Sequence, residues 1–352
     1  MSLLENTVNS IKPLDAKARG DAKARLDQLT MPHWALGRLM DLALELAAMT
    51  GKNPPPVARK TIVTMAGDHG VTESGVSQYP SEVTAQMVHN FVSGGAGVNA
   101  LAGLTGAKVV VVDMGVNGDL SALGDKIIHK KIGMGTKNIA KGPAMTRDEA
   151  IRSVEAGIEV AMSLADSTDI FGAGEMGIGN TTPASAIVAA VTGGDPAKLT
   201  GRGTGIDEDR LVEKIKLIKQ ILETNKPDKT DGLDLLEKIG GYEIGGMAGV
   251  IIGAASLRKP VLVDGFISTA GAIVASLIAP AVKEYMIAAH ESVEPGHQAM
   301  LGWLDKRAFL DMNMRLGEGS GAALAMCLVD AASNVLTKVA TFQEAAVSTS
   351  DK

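Results

Sequence analysis

Short apolar segments that end in polar or glycine-rich sequence recur through the middle of this chain, and they constrain its fold more than any other feature. The clearest is Lys108–Gly115, which contains four consecutive valines. A strand without apolar–polar alternation is buried on both faces, as in a parallel sheet that helices cover. The other predicted strands have the same character and span residues 61–68, 169–175, 260–265 and 285–290.

Helical segments separate these predicted strands. Residues 146–149 read Thr-Arg-Asp-Glu, the spacing of a capping box, and predict a helix that runs to about residue 167. Residues 265–281 are apolar but just short of a membrane span, which predicts a core helix. The remaining predicted helices span residues 82–104, with an interruption at Gly94-Gly95, residues 207–225, residues 231–239 and the chain from residue 320 onward.

This alternation predicts an α/β fold in which a parallel sheet carries helices on both faces. Residues 1–50 have apolar side chains at helical spacing and end at a proline-rich break over residues 51–56. The two terminal segments are expected to form one helical subdomain. The predicted organisation is therefore a small helical subdomain made of residues 1–60 and 305–352, and a large α/β domain made of residues 61–304.

Composition excludes several classes of function. A net charge of −6 without a basic block argues against a nucleic-acid partner. The single cysteine, Cys327, excludes an internal disulfide framework and fits a reducing cytoplasm. Its apolar neighbours predict a buried thiol. The first residues lack the basic-then-apolar order of a signal peptide, so we expect a cytoplasmic protein without a membrane partner.

Polar side chains stand where the predicted strands end. Open α/β sheets bind ligands outside the carboxyl ends of their strands, so we expect the functional site at this edge of the sheet. The residues concerned are Asp68, Asp113, Glu175, Asp264, His290 and Ser292.

A glycine-rich segment follows the strand predicted at residues 169–175. Residues 172–177 match the G-x-G-x-x-G dinucleotide pattern, but they lie in mid-chain and lack the expected acidic partner. Asn180, Thr181 and Thr182 then precede Pro183, which suits the first turn of a helix. The free N–H groups of that turn could hold one phosphate. An ordinary capped helix is the alternative interpretation.

A second glycine-rich loop, residues 201–205, precedes the helix that carries Lys214. Backbone donors and one lysine would complete a phosphate cradle. Taken alone, however, Lys214 is better interpreted as a solvent-exposed residue.

One carboxylate, Glu318, stands between two glycines, after the apolar residues Met312, Met314 and Leu316. A carboxylate beside an apolar wall tends to have a raised pKa, which suits a general base near neutral pH. A loop glutamate in a glycine-rich turn is the alternative.

We expect no metal site at Asp68-His69-Gly70, because no second histidine stands at ligand spacing, and we interpret His69 as structural.

Six segments together resemble the nicotinate-nucleotide–dimethylbenzimidazole phosphoribosyltransferase family of cobalamin lower-ligand synthesis. The resemblance implies transfer of phosphoribose from nicotinate mononucleotide to 5,6-dimethylbenzimidazole, giving α-ribazole 5′-phosphate and nicotinate with inversion at C1′. It also implies a Rossmann-like, nucleotide-binding large domain and a homodimer, and we expect neither a cofactor nor a metal. The segments are residues 66–71, 83–86, 133–143, 174–183, 263–266 and 314–321.

The resemblance also implies roles for individual residues. The family's catalytic base falls on Glu318, and we expect Glu175 to stabilise the positive charge that develops during transfer. The donor phosphate, ribose and nicotinate are assigned to Gly177, Asn180, Thr181, Thr182, Gly203, Lys214, Asp264 and Ser292. The benzimidazole is assigned to Tyr79, Pro80, Gln86, Met87, Met314 and Leu316.

Parts of the sequence are also compatible with three other functions. An NAD-dependent oxidoreductase would use the pattern at residues 172–177, and a test for hydride transfer discriminates it. A nucleotide-binding protein of the same fold would bind without turnover. A transferase that uses phosphoribosyl pyrophosphate would need an acidic pair after an apolar strand, and the strand at residues 108–115 offers only Asp113.

Overall fold

The computed structural model describes residues 1–348. Its α-helices are α1 (Leu3–Ser10), α2 (Ala16–Leu26), α3 (Arg38–Thr50), α4 (Glu82–Val92), α5 (Gly97–Ala102), α6 (Arg147–Ser163), α7 (Thr181–Thr192), α8 (Pro196–Leu199), α9 (Glu208–Asn225), α10 (Gly232–Ile239), α11 (Tyr242–Ser256), α12 (Phe266–Ile278), α13 (Gly296–Leu304) and α14 (Ser320–Lys338). Its strands are β1 (Lys60–Gly67), β2 (Lys108–Gly115), β3 (Ile128–His129), β4 (Ile170–Met176), β5 (Val261–Val263), β6 (Met286–Ala288), β7 (His290–Ser292) and β8 (Leu310–Met314).

Six strands form one sheet in the order β3-β2-β1-β4-β5-β6, and every neighbouring pair is parallel. The strand order reverses direction between β1 and β4, as in a doubly wound sheet. The predicted α/β class with a parallel, Rossmann-like sheet is therefore confirmed. The predicted bounds of β1, β2 and β4 agree with the structure to within one residue.

Helices cover both faces of this sheet. On one face α11 approaches so closely that a Cβ added at Gly246 would lie 3.0 Å from the Met65 sulfur. On the other face a Cβ added at Gly172 would lie 3.2 Å from the Met326 methyl of α14 and from Ile62. Ile62 and Met65 are three residues apart on β1, so their side chains point to opposite faces. The prediction of helices on both faces is confirmed.

The segment predicted as one strand at residues 285–290 is divided between two strands, β6 and β7, which belong to different sheets. β6 ends at Ala288, and β7 leaves the main sheet to pair in parallel with β8. The expectation that the chain from residue 305 is helical is wrong at β8. There, pairing of Leu310 and Asp311 with His290 and Glu291 supplies the backbone hydrogen bonds that a helix would otherwise make.

The N-terminal 50 residues form three helices with a loop at residues 27–37, rather than one helical run. α2 and α3 pack against each other and against α14, whereas α1 packs against α6 and α11. Helices from the two termini thus meet, and the division of the chain at residues 60 and 305 stays a prediction.

Among residues 1–348, α14 is the one helix whose length and hydropathy would suffice to cross a membrane. It packs against the sheet at β4 and β5, and this core contact accounts for its apolar face. The predicted core helix at residues 265–281 is confirmed as the buried α12.

The prediction of a buried Cys327 is wrong, because this thiol is exposed. It lies on the face of α14 opposite the side that packs on the core, a distinction that apolar composition alone does not make.

Candidate active site

A cavity of about 670 Å³ opens at the carboxyl ends of β4 and β5. Eleven of the residues proposed from the sequence line it: Tyr79, Met87, Glu175, Gly177, Asn180, Thr181, Gly203, Asp264, Ser292, Leu316 and Glu318. Five do not reach its wall, namely Pro80, Gln86, Thr182, Lys214 and Met314. The expectation of a site at the carboxyl edge of the sheet therefore agrees with the position of the cavity.

The loop between β8 and α14 presents Glu318 to the cavity. Gly317, Glu318 and Gly319 are all left-handed, with φ of 85°, 65° and 98°. This conformation costs free energy for a residue with a side chain, so surrounding contacts must hold it. Thr64 Oγ1 donates to the Glu318 carbonyl over 2.9 Å, and the backbone N–H of Val98 donates to Oε2 over 2.9 Å.

Burial raises the pKa of Glu318, and the negative charge of Asp264 raises it further, against the hydrogen bonds from Val98 and Gly97. The direction agrees with that predicted from the apolar neighbours. A side chain at Gly97 would crowd the site, because a Cβ there would lie 2.6 Å from Leu316 Cδ2 and 3.3 Å from Glu318 Oε2. Thr64, Gly97 and Val98 were not predicted as site residues, since their contacts with Glu318 join distant parts of the chain.

Glu175 is the second-last residue of β4 and is buried beside Asn180, whose side-chain amide donates to its carboxylate. Burial raises the pKa of Glu175 to about 8, opposed by the Asn180 hydrogen bond and assisted by the charges of Asp264 and Glu243. A Cβ added at Gly317 would lie 2.3 Å from Glu175 Oε1, so the loop that carries Glu318 rests directly on this carboxyl group.

The glycines of the G-x-G-x-x-G match have a packing role. Gly172 and Gly174 lie inside β4 rather than in a turn after it. A Cβ added at Gly174 would lie 2.3 Å from the Glu318 carbonyl oxygen. These glycines therefore allow the Glu318 loop and α14 to approach the strand, which differs from the turn that a dinucleotide pattern requires.

The two glycine-rich loops meet at the N-terminus of α7. Lys214 Nζ donates to Thr181 Oγ1 over 2.8 Å, and a Cβ added at Gly203 would lie 2.7 Å from the same hydroxyl. The interpretation of Lys214 as a solvent-exposed residue is wrong, because its side chain is buried between α7 and the loop at residues 201–205. Burial lowers its pKa to about 8, opposed by the negative charge of Glu294. Thr182 Oγ1 is buried nearby without a partner within residues 1–348.

Glu294 faces Lys214 from the cavity wall. Glu294 Oε1 accepts a hydrogen bond from the backbone N–H of Gly203 over 3.0 Å, while Oε2 has no partner within the part of the chain that the structure describes. Burial raises the pKa of Glu294, and Lys214 and the Gly203 N–H oppose the shift. Glu294 was not predicted, because a glutamate before Pro295 carries no sequence signal of burial.

His297 holds Ser292 at the edge of the cavity. The backbone N–H of Ser292 donates to His297 Nδ1 over 2.8 Å, which leaves the imidazole proton on Nε2, 2.9 Å from Thr269 Oγ1. Burial lowers the pKa of His297 to about 3, so the ring stays neutral and keeps this tautomer.

Polar and apolar residues share the wall of the cavity. The polar lining includes Thr181, Gly203, Glu294 and Ser292, and Glu175 contacts both Asn180 and the Glu318 loop. The apolar lining includes Leu316, Val76, Val83, Met87 and Phe266. Such a site can hold an anionic group near its hydroxyl and backbone donors, present a carboxylate of raised pKa, and take up a flat apolar ring against its apolar side chains.

No group of three or more His, Cys, Asp or Glu side chains within residues 1–348 is arranged to hold a metal ion. His69, which was interpreted as structural, is buried with its Nε2 2.7 Å from Glu243 Oε1.

Comparisons with known proteins agree along the whole chain. Residues 11–347 match a family model described as phosphoribosyltransferase. A protein of Syntrophotalea carbinolica named nicotinate-nucleotide–dimethylbenzimidazole phosphoribosyltransferase is 59% identical over 350 residues, 99% of each chain. The protein of that name from Desulfotalea psychrophila is 57% identical over 355 residues, 100% of each chain. The crystal structure of CobT from Thermus thermophilus is 42% identical, covers 95% of this chain and 100% of its own, and has a TM-score of 0.90.

Proposed function

The chain belongs to the nicotinate-nucleotide–dimethylbenzimidazole phosphoribosyltransferase family, and from this premise we propose that it transfers phosphoribose from nicotinate mononucleotide to 5,6-dimethylbenzimidazole. The products are α-ribazole 5′-phosphate and nicotinate. The observation that carries the proposal is that one cavity is lined by Thr181, which Lys214 holds from behind, by apolar side chains and by Glu318.

One base is sufficient for this reaction. The bond between C1′ and the pyridinium nitrogen breaks, and its electron pair neutralises that nitrogen, so the leaving group needs no proton. One benzimidazole nitrogen attacks C1′ from the opposite face, which converts the β-glycosidic bond to α. The N–H proton on the other benzimidazole nitrogen must then leave, and Glu318 accepts it. The raised pKa of Glu318 brings its basicity closer to that task.

The donor phosphate lies beside the N-terminus of α7. The N-terminus of α7, the Thr181 hydroxyl and the Gly203 backbone supply neutral donors there, and Lys214 supplies a positive charge through a side chain fixed by Thr181. A helix N-terminus and a desolvated ammonium both favour an anion. Ser292 contacts the nicotinate side of the donor.

Glu175 responds to the charge of the donor. With a pKa of about 8 its carboxyl group is mostly protonated at pH 7 before the donor binds. A pyridinium donor, and the oxocarbenium-like ribose that follows from it, stabilise the ionised form. The carboxylate then stabilises the developing positive charge at C1′.

The acceptor base packs against the apolar part of the lining, which Tyr79, Met87 and Leu316 help to form. An apolar base fills this volume and displaces water that would otherwise attack C1′.

We further propose that the enzyme is cytoplasmic and works as a homodimer. Sedimentation of the purified protein tests the homodimer.

The deciding experiment is a chromatographic and mass-spectrometric assay with both substrates. The wild type should form α-ribazole phosphate, whereas Glu318→Gln should lose about 10²-fold or more in kcat with little change in donor binding. Glu223→Gln, an exposed glutamate on α9, is the matched control and should behave as wild type. Donor binding without product from the wild type would instead support a non-catalytic nucleotide-binding protein. Wild-type turnover by Glu318→Gln would remove Glu318 as the base.

A further inference from the structure

The carboxylate of Asp264 is fully engaged with the start of α14. Asp264 follows β5 directly and is buried. Its Oδ1 accepts hydrogen bonds from the backbone N–H groups of Gly321 over 2.6 Å and Ala322 over 3.0 Å. Its Oδ2 accepts from the N–H of Gly319 over 3.2 Å. Both oxygens thus bind backbone donors that lie more than 50 residues away in the sequence.

α14 has no capping side chain of its own. The residue at its N-cap is Gly319, and the first N–H groups of a helix have no partner within the helix. A carboxylate at this end satisfies those donors and interacts favourably with the helix dipole. Asp264 therefore performs from β5 the capping role that a local serine or aspartate usually performs.

The capped segment begins one residue after Glu318. Thr64 holds the carbonyl of Glu318, and Asp264 holds the N–H of Gly319, which belongs to the same peptide unit. This peptide unit follows a residue with a φ of 65°, a conformation that relaxes unless its surroundings fix it. Together the two contacts fix the orientation from which the Glu318 side chain enters the cavity.

We infer that Asp264 is a positioning residue that fixes the Glu318 loop through the α14 N-terminus and does not bind the donor with its carboxylate. The inference rests on the proposed function, in which Glu318 is the base. His290 closes the other side of Asp264, with Nδ1 3.5 Å from Oδ1. A Cβ added at Gly321 would lie 1.9 Å from His290 Nδ1, so the start of α14 packs directly against this ring. Asp264 lines the cavity, but both of its carboxylate oxygens already accept hydrogen bonds from the backbone at the start of α14.

Asp264→Asn is the informative substitution, because its one amide oxygen can still cap Gly321 and Ala322 while its NH₂ group faces the Gly319 N–H. We expect kcat to fall about 10- to 100-fold, with the KM for nicotinate mononucleotide changed by less than about threefold. In a Glu318→Gln background the same substitution should cost less than about threefold, because Asp264 acts through Glu318. If the losses of kcat in the two single variants multiply in the double variant and the donor KM rises, Asp264 is assigned to donor binding and the inference is overturned.

Hydrogen exchange tests the cap without relying on turnover. Peptides that cover residues 315–326 should exchange faster in Asp264→Asn, with the rest of the chain unchanged. Asp231→Asn removes the capping carboxylate of α10, which does not line the cavity, and should leave kcat and these peptides unchanged. Unchanged exchange in Asp264→Asn overturns the inference. Absence of transfer by wild type overturns the proposed function, and the exchange result still decides whether Asp264 holds the loop.

Discussion

Lys214 Nζ donates a hydrogen bond to Thr181 Oγ1 over 2.8 Å, and this contact joins the second glycine-rich loop to the N-terminus of α7. The ammonium is buried, so its charge is poorly screened and its position is fixed before any ligand enters. A phosphate at this end of the cavity would meet a preorganised positive charge.

Removing that charge should weaken donor binding. We predict that Lys214→Met raises the KM for nicotinate mononucleotide about 10- to 100-fold, the value of one charge-assisted hydrogen bond, with a smaller effect on kcat. Steady-state kinetics with varied donor measure it. Lys219→Met, on the same helix but half exposed, is the control. An unchanged KM would place the phosphate elsewhere.

Donor binding should also weaken at alkaline pH. Lys214 is charged below its pKa of about 8 and neutral above it, so 1/KM for the donor should fall as pH rises through about 8. Glu294, which faces Lys214, also titrates with a raised pKa and adds negative charge near the phosphate as pH rises. Glu175 acts in the opposite direction, because its ionised form favours the pyridinium of the donor. Lys214→Arg keeps the positive charge, so the decline should become shallower in that variant. An equally steep decline would assign it to Glu294.

The pH dependence of kcat should show an acid limb set by Glu318. Its pKa is raised above 4.5, so turnover should fall at a higher pH than for an ordinary glutamate as the base becomes protonated. Asp264 contributes to the raised value, and Glu175 and Arg315 also line the cavity. Asp264→Asn should therefore move the acid limb to lower pH. A limb that stays in place would show that the charge of Asp264 does not act on the base.

Gly97→Ala should impair catalysis through crowding. The added methyl would lie 2.6 Å from Leu316 Cδ2 and 3.3 Å from Glu318 Oε2, so both side chains must move. We expect kcat to fall about tenfold or more, since small displacements of a catalytic group are costly. Gly20→Ala, in α2 with no atom within 4 Å of the added Cβ, should leave kcat unchanged. Full activity of Gly97→Ala would show that the Glu318 loop adapts freely.

Glu175 should make stability depend on pH. Its folded pKa of about 8 is above the ordinary value of 4.5, so its contribution to stability is present below pH 4.5 and is lost as pH rises through about 8. Glu175→Gln does not ionise, and its Tm relative to wild type should therefore increase between pH 6 and pH 9. Thermal melts at several pH values measure this difference. A constant difference would mean that the carboxyl group is ionised throughout.

Much of the fold follows from local pattern. The valine run of β2 indicates a strand that is buried on both faces, and the capping box at Thr146 marks the start of α6. The amphipathic spacing of α9 indicates which of its faces is buried. The carboxyl edge of the sheet is predictable as the site because parallel strands end together. The two glycines that flank Glu318 mark it as a candidate in the sequence.

Contacts between distant residues decided the rest. Three contacts join segments that are far apart in the sequence. They are the hydrogen bond of buried Lys214 to Thr181, the hydrogen bond from the Gly203 N–H to Glu294, and the capping of α14 by Asp264. Local pattern favoured an exposed lysine and a buried Cys327, and the structure reverses both. The physical reason is that periodicity describes one element at a time. Desolvation, pKa and hydrogen-bond partners depend on which elements pack together.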